Sequence, residues 1–307
     1  MNGGNMNTLQ EQIIELKKKH NVAILAHYYV EGEVKEIADY IGDSYYLSKL
    51  ATTISEDVII MCGVMFMGES VKILNPSKTV ILPNTDADCP MAHMATVESV
   101  KEVREKYDDV AVVCYINSTA ELKAVSDVCV TSANALKVVK ALPNKYIYFI
   151  PDQNLGAYVA EKVPEKEFIF NQGFCPVHHN IFPKDIEKAR KEHPGALVLM
   201  HPECRPPIVA MADYVGSTSG IINYATDSDA DSFIICTEKG VIYDLEKKNP
   251  DKKFYPLKDD FICCNMKKIT LENVYDSLMS IENNVDVPDE QRESSLKPLA
   301  RMLELAK

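Results

Sequence analysis

The sequence predicts an α/β protein made of three pseudo-repeated, three-layer αβα domains, each with a small parallel sheet, set around a pseudo-threefold axis. Three observations predict it. At 307 residues the chain exceeds what one small core needs and suits two or three compact domains. Short, continuously apolar, β-branched runs alternate with amphipathic segments, the pattern of parallel strands covered by helices on both faces. The pattern also recurs: His27, Tyr115 and His201 follow equivalent apolar runs 88 and 86 residues apart (115 − 27, 201 − 115), a period of about one domain.

The elements follow in chain order. Thr8 and Glu11 have the spacing of a capping box for an opening helix. Val22-Ala-Ile-Leu-Ala-His-Tyr-Tyr29 then leads through Ala38-Asp-Tyr-Ile-Gly-Asp-Ser44. The second copy repeats this with Val110-Ala-Val-Val-Cys-Tyr-Ile-Asn117 and Ser126-Asp-Val-Cys-Val-Thr-Ser132, and the third with Ala196-Leu-Val-Leu-Met-His-Pro-Glu203 and Ala212-Asp-Tyr-Val-Gly-Ser-Thr218. In each, the strand-end residue and the later hydroxyl are separated by the same interval, without a gap. A second half-motif places a Pro-x-Lys turn and an extended apolar segment before a cysteine: Pro76-Ser-Lys78 to Cys89, Pro164-Glu-Lys166 to Cys175, Pro250-Asp-Lys252 to Cys263. Val110-Ala-Val-Val113, Tyr146-Ile-Tyr-Phe-Ile150 and Ser232-Phe-Ile-Ile235 read as strands, and 97–107 and 186–193 as amphipathic helices. Helical segments over 270–281 and 294–307 close the chain. The domains are therefore 8–95, 96–181 and 182–269, with a C-terminal helical segment over 270–307. No low-complexity linker separates the copies, which implies tight packing.

Composition narrows the function. A net charge of −12 disfavours nucleic acid, because Lys and Arg cannot form a continuous basic face among so many carboxylates. Residues 1–7 are polar and Gly/Asn-rich with no secretion-signal pattern, and the longest apolar stretch, 58–67, is too short for a membrane span. A cytoplasmic protein is expected, with its nine cysteines reduced and available for burial or metal ligation.

In open parallel sheets, functional groups gather beyond the carboxyl ends of strands. His27, Tyr115 and His201 sit there, followed two residues later by Tyr29, Asn117 and Glu203. Ser44, Ser132 and Thr218 each follow a second short strand and precede a helix expected from 45, 133 and 219. Any one hydroxyl there reads as an N-cap. Three in register suggest helix starts that receive carboxylate or phosphate, hence an anionic substrate.

A free cytosolic cysteine is more often a small buried hydrophobe than a ligand. Cys62, Cys114, Cys129 and Cys236 lie in apolar runs and have non-cysteine counterparts, so they belong to the core. Cys204, beside Glu203, is a spare thiol. Cys89, Cys175 and Cys263 occupy a position filled by cysteine in every copy; the register and an 88-residue spacing (263 − 175) favour Cys263 over its neighbour Cys264. Three thiolates could hold zinc or a cluster, but zinc sites generally use close pairs such as C-x-x-C, absent from this set. A cubane held by three cysteines keeps one iron open as a Lewis acid. Residues alone leave open another iron-sulfur hydro-lyase or a metabolite-binding protein.

The motifs Leu25-Ala-His-Tyr-Tyr29, Ile41-Gly-Asp-Ser44, Asp88-Cys-Pro-Met-Ala92, Tyr115-Ile-Asn-Ser-Thr119, Thr131-Ser-Ala-Asn134, Phe174-Cys-Pro-Val-His178, His201-Pro-Glu203, Tyr214-Val-Gly-Ser-Thr218 and Cys263-Cys-Asn-Met-Lys267 together resemble the quinolinate synthases, over essentially the full length. The resemblance implies a transferase of NAD biosynthesis, condensing iminoaspartate with dihydroxyacetone phosphate to quinolinate, phosphate and water. It further implies a triangle of three α/β domains and a 4Fe-4S cluster ligated by Cys89, Cys175 and Cys263. It carries over His27, Tyr29, Tyr115, His201 and Glu203 as catalytic residues and Ser44, Asn117, Ser132 and Thr218 as substrate-binding ones. The implied partners are small anionic substrates, with iminoaspartate supplied by an aspartate-oxidising enzyme, and neither nucleic acid nor membrane.

Overall fold

The computed structural model describes residues 8–307; the polar segment 1–7 lies outside the described residues. Twelve strands form three parallel four-stranded sheets. The first contains β1 (Val22–His27), β2 (Tyr40–Gly42), β3 (Val58–Cys62) and β4 (Thr79–Ile81) in the order β2-β1-β3-β4. The second contains β5 (Val110–Tyr115), β6 (Val128–Val130), β7 (Tyr146–Ile150) and β8 (Glu167–Phe170), ordered β6-β5-β7-β8. The third contains β9 (Leu197–Met200), β10 (Tyr214–Val215), β11 (Ser232–Cys236) and β12 (Lys253–Pro256), ordered β10-β9-β11-β12. The shared order and the flanking helices bear out the expected αβα repeat. The first strand of each sheet is central and its apolar run is almost wholly buried, as parallel strands covered on both faces require.

Side chains that recur in the sequence make the same bonds in each copy. The carboxylates of Asp39, Asp127 and Asp213 accept from the central-strand N–H groups of Ile24, Val112 and Val198 at 2.8, 2.7 and 2.7 Å. Each also pairs with a base from the preceding helix, Lys17, Arg104 or Arg190, at 2.9 Å. The exposed ion pairs contribute little; the bonds to the backbone fix where the second strand begins. The lysine of each Pro-x-Lys turn has a comparable task. Lys78 Nζ donates to the carbonyls of Ile54 and Glu56 at 2.6 and 2.8 Å, Lys166 to those of Leu142 and Asn144 at 2.6 and 2.8 Å, and Lys252 to those of Ala225 and Ser228 at 2.8 and 2.5 Å. These carbonyls lie in the last turn of a helix or just beyond its end, so the ammonium closes the loop that enters the third strand.

The chain divides into two compact units. One holds the described residues up to Asp88 together with Cys264–Asp286. In it the helix Leu9–His20 starts with the expected Thr8–Glu11 capping box and packs against the helix Leu271–Ser280. The chain beyond that helix bridges to Ile81, and the Val285 N–H donates to the Val80 carbonyl at 2.7 Å, so the outer edge of β4 is covered. The other unit holds Cys89–Cys263 and Val287–Lys307. Its last helix, Asp289–Leu305, packs on the helix Ala120–Ala124 and on β6, where the buried Ser295 hydroxyl donates to the Ala120 carbonyl at 2.7 Å. The expected closing segment is thus two helices, one in each unit. Cys62, Cys114, Cys129 and Cys236 lie in strands and are fully buried, as expected for core thiols. Among the described residues no helix is long and apolar enough to cross a membrane.

Candidate functional site

Each cysteine turn is tied to the exit of the third strand by one backbone bond. Met65 N–H donates to the Ala87 carbonyl, Gln153 to Gly173 and Lys239 to Phe261, at 2.8, 2.8 and 2.9 Å. Each acceptor stands two residues before its cysteine, so Cys89, Cys175 and Cys263 lie beyond the carboxyl ends of their sheets, where ligand sites of parallel sheets form. Gly173 answers a close approach: a Cβ there would stand 2.5 Å from the Pro151 carbonyl oxygen. A single helical turn with proline at its start follows both Cys89 and Cys175, because proline's fixed φ and missing N–H suit a first helical position.

The three thiols feel one another's charge. Burial first, then Cys263, pushes the Cys89 thiol up to about 12. Burial, the Glu203 charge and then Cys89 raise Cys175 well above the ordinary thiol range, with Cys263 adding to the rise. Both residues reach the surface in part, but their sulfurs are enclosed. None of the nine cysteines is in a disulfide, and Cys264 is exposed.

Glu203, only 3% exposed, lies at the centre of a buried polar network. Its Oε2 is 2.7 Å from His178 Nδ1 and 3.6 Å from His201 Nδ1. Tyr115 also hydrogen-bonds to it. Burial pushes the carboxyl up, yet His201, His178 and the bonds from His178 and Tyr115 outweigh it and hold Glu203 below the usual range, ionised. An ionised carboxylate only accepts, so His178 Nδ1 carries the hydrogen. That nitrogen is also 3.2 Å from Cys175 Sγ. With the hydrogen on Nδ1, His178 Nε2 accepts from the Thr237 hydroxyl at 3.0 Å, which anchors the far side of the ring. Burial, the largest influence, brings His201 down to about 3, so its imidazole is neutral. Its Nδ1 receives the Glu203 N–H at 3.4 Å and its Nε2 lies 3.2 Å from Ser132 Oγ, to which it donates.

The remaining candidate residues fall at their strand and helix ends. Asn117 keeps a buried Oδ1 with no partner among the described residues, as expected of a group meant for a ligand. Ser132 lines a cavity of about 250 Å³ with Tyr158, Tyr214 and Ser217. In the first copy, His27 ends β1, and its Nδ1 receives the Tyr29 N–H at 3.2 Å, the counterpart of the His201–Glu203 contact. The N-cap reading of the hydroxyls is corrected: Asp43 caps the helix Ser44–Ala51 and Ser217 caps Thr218–Asp227, while Asn134 precedes Ala135–Ala141. Ser44 and Thr218 are already the first helical residues, so Asp43 and Ser217 do the capping there, while Ser132 bonds His201 and Asn134 makes no side-chain cap bond.

His178 and Thr237 escaped the sequence reading. The signal for His178 was the Cys175-Pro-Val-His178 spacing, which puts sulfur and imidazole on one side of a single helical turn. Thr237 carried none, because only the fold brings it to His178.

Comparison with known proteins agrees with this architecture. The family described as Quinolinate synthetase A protein matches residues 11–304. A quinolinate synthase of Caldicellulosiruptor bescii is 52% identical over 98% of this chain and 99% of its own length. One of Fusobacterium nucleatum is 52% identical over 97% of this chain and 99% of its own, and one of Clostridioides difficile 50% over 97% and 98%. With three copies of one αβα unit, a cysteine at the same turn of each, and half of all residues shared with these enzymes along nearly the whole length, the chain belongs to the quinolinate synthase family.

Proposed function

We propose that the chain condenses iminoaspartate with dihydroxyacetone phosphate to quinolinate, phosphate and two waters, in the cytoplasm, with a 4Fe-4S cluster held by Cys89, Cys175 and Cys263, one from each of the repeats 8–95, 96–181 and 182–269. The donor chemistry fits: three soft sulfurs lie outside any disulfide, and after burial the neighbouring thiols add to the rise at Cys89 and Cys175, as sulfurs gathered about one point would. Bound there, the cluster would supply an iron with an open coordination position, a Lewis acid for a substrate oxygen.

The chain's own residues do the rest. Glu203, ionised and braced by His178, takes a proton from the condensing substrate, and Tyr115, bonded to the same carboxylate, holds the proton that is passed on. His201 is neutral and works as a hydrogen-bond donor through Nε2, orienting Ser132 and a substrate carboxylate. Asn117 offers its buried Oδ1 to a substrate N–H or O–H. Thr218, at the start of its helix, takes an anionic group. His27 and Tyr29 act on the same substrates from the first copy, with Ser44 binding them. Iminoaspartate would come from an aspartate-oxidising enzyme.

The observation that carries this reading is the buried Glu203 carboxylate, joined through His178 to the Cys175 sulfur. Glu203→Gln should keep the iron, sulfide and absorption spectrum of the anaerobically purified protein while quinolinate formation falls at least about a hundredfold. Unchanged turnover removes Glu203 from the mechanism. A second reading rests on one fact: donor atoms of Cys175, His178 and Glu203 lie within 4.8 Å of one another, a set one divalent ion could use. Acid-labile sulfide matching iron favours the cluster; metal without sulfide favours the single ion.

A further inference from the structure

We propose that Glu238 and Asp152, buried acidic residues at equivalent places in the third and second copies, are positioning residues: Glu238 holds the main chain of the Cys263 turn with its side chain, and Asp152 braces the Cys175 turn by capping the helix beside it. The proposal rests on the reading of those cysteines as metal ligands. Each carboxylate stands two residues past the end of the third strand, after Ile150 of β7 and Cys236 of β11, and each is 0% exposed.

Glu238 spans the gap directly. Its Oε2 accepts from the Gly240 N–H at 2.7 Å and its Oε1 from the Cys263 N–H at 3.3 Å, so one side chain joins the strand exit to the ligand's own backbone. Asp152 is shorter and divides the task. Its Oδ1 accepts from Asn154 and Leu155 at 2.7 and 2.9 Å, capping the helix Gln153–Glu161, and its Oδ2 has no hydrogen-bond partner among the described residues. The main chain of Asp152 also bridges to Gly173, two residues before Cys175, so the capped residue stands against that turn. Together with the backbone bonds from Gln153 to Gly173 and from Lys239 to Phe261, each turn is held from both sides.

The first copy serves as an internal control. Its equivalent residue is Val64, and the Met65-to-Ala87 bond forms there all the same. A carboxylate is therefore unnecessary for folding the turn. A buried one is also costly unless it makes hydrogen bonds, so its presence twice, each time beside a cysteine turn and once bonded to the cysteine N–H itself, points to the ligand as the reason. In metal sites, such outer partners fix the ligand's orientation and raise retention of the metal.

The test uses the full chain. Amide hydrogen exchange of the metal-free wild type should find the Cys263 N–H protected; free exchange there overturns the proposal before any variant is made. Glu238→Met, similar in size but without an acceptor, should speed exchange at Cys263 about tenfold, with the rest of the chain unmoved, and shorten the half-life of bound iron in air several-fold. Glu238→Gln, which keeps one of the two acceptor oxygens, should recover part of each. Acceleration spread over the whole chain, or wild-type exchange at Cys263 in Glu238→Met, overturns the proposal. If the wild type takes up no iron, the ligand reading fails by itself, and the exchange data still judge the hydrogen bond.

Discussion

Replacing Thr237 by Val removes one hydroxyl from the Glu203 network while keeping the side-chain shape. Thr237 and His178 are 1% and 2% exposed, so no water is at hand to replace the bond from Oγ1 to Nε2, 3.0 Å long. A buried acceptor left without a donor costs about 1–3 kcal/mol. For a unit of this size each kcal/mol lowers the melting temperature by roughly 2–4 °C, so a fall of about 2–12 °C is expected for the unit containing Cys89–Cys263. The function should suffer separately. The Glu203 carboxylate 2.7 Å away keeps the hydrogen on Nδ1, but without the Thr237 bond the imidazole that braces Glu203 loses the anchor on its other nitrogen. The assay is steady-state quinolinate formation beside thermal unfolding of the metal-free chain, with Thr237→Ser as the rescue. A lower kcat with unchanged KM and iron content, restored by Ser, is expected. Wild-type melting and kcat in Thr237→Val would refute the claim that this hydroxyl anchors His178.

Stability should depend on pH through His201. Its pKa is about 3 in the folded chain against 6.5 when solvated, so the unfolded state binds the extra proton between those values and folding weakens as the pH falls below 6.5. At pH 5 the loss is about 2 kcal/mol. Denaturant titrations at pH 7 and 5 should reveal it, and His201→Gln should flatten the slope; an equal slope in the variant excludes His201 as its source. Lys166→Met leaves the Leu142 and Asn144 carbonyls without their ammonium and should lower stability by about 1–3 kcal/mol, measured by thermal unfolding, with kcat below the transition unchanged. A loss of activity without a loss of stability would contradict the structural role given to the Pro-x-Lys turn.

The repeat and the sheets were legible because they rest on local chemistry written three times. Apolar β-branched runs, Asp39, Asp127 and Asp213, and the lysines of the Pro-x-Lys turns act within about one strand-helix unit, and their spacing survives in all copies. The helix starts were one residue off at Ser44 and Thr218, since Asp43 and Ser217 are equally good caps and the choice is made by backbone dihedrals that neither side chain announces.

What the sequence determined alone is the αβα unit, its threefold recurrence and the cysteine common to every copy, because periodicity and capping are properties of neighbouring residues. The tertiary structure decided which atoms meet: that His178 lies between Cys175 and Glu203, that Thr237, 59 positions away, anchors its Nε2, and that Glu238 holds the Cys263 N–H. Such contacts join the ends of different strands, and a residue's register along its own strand says nothing about which loop from another part of the chain will close over it.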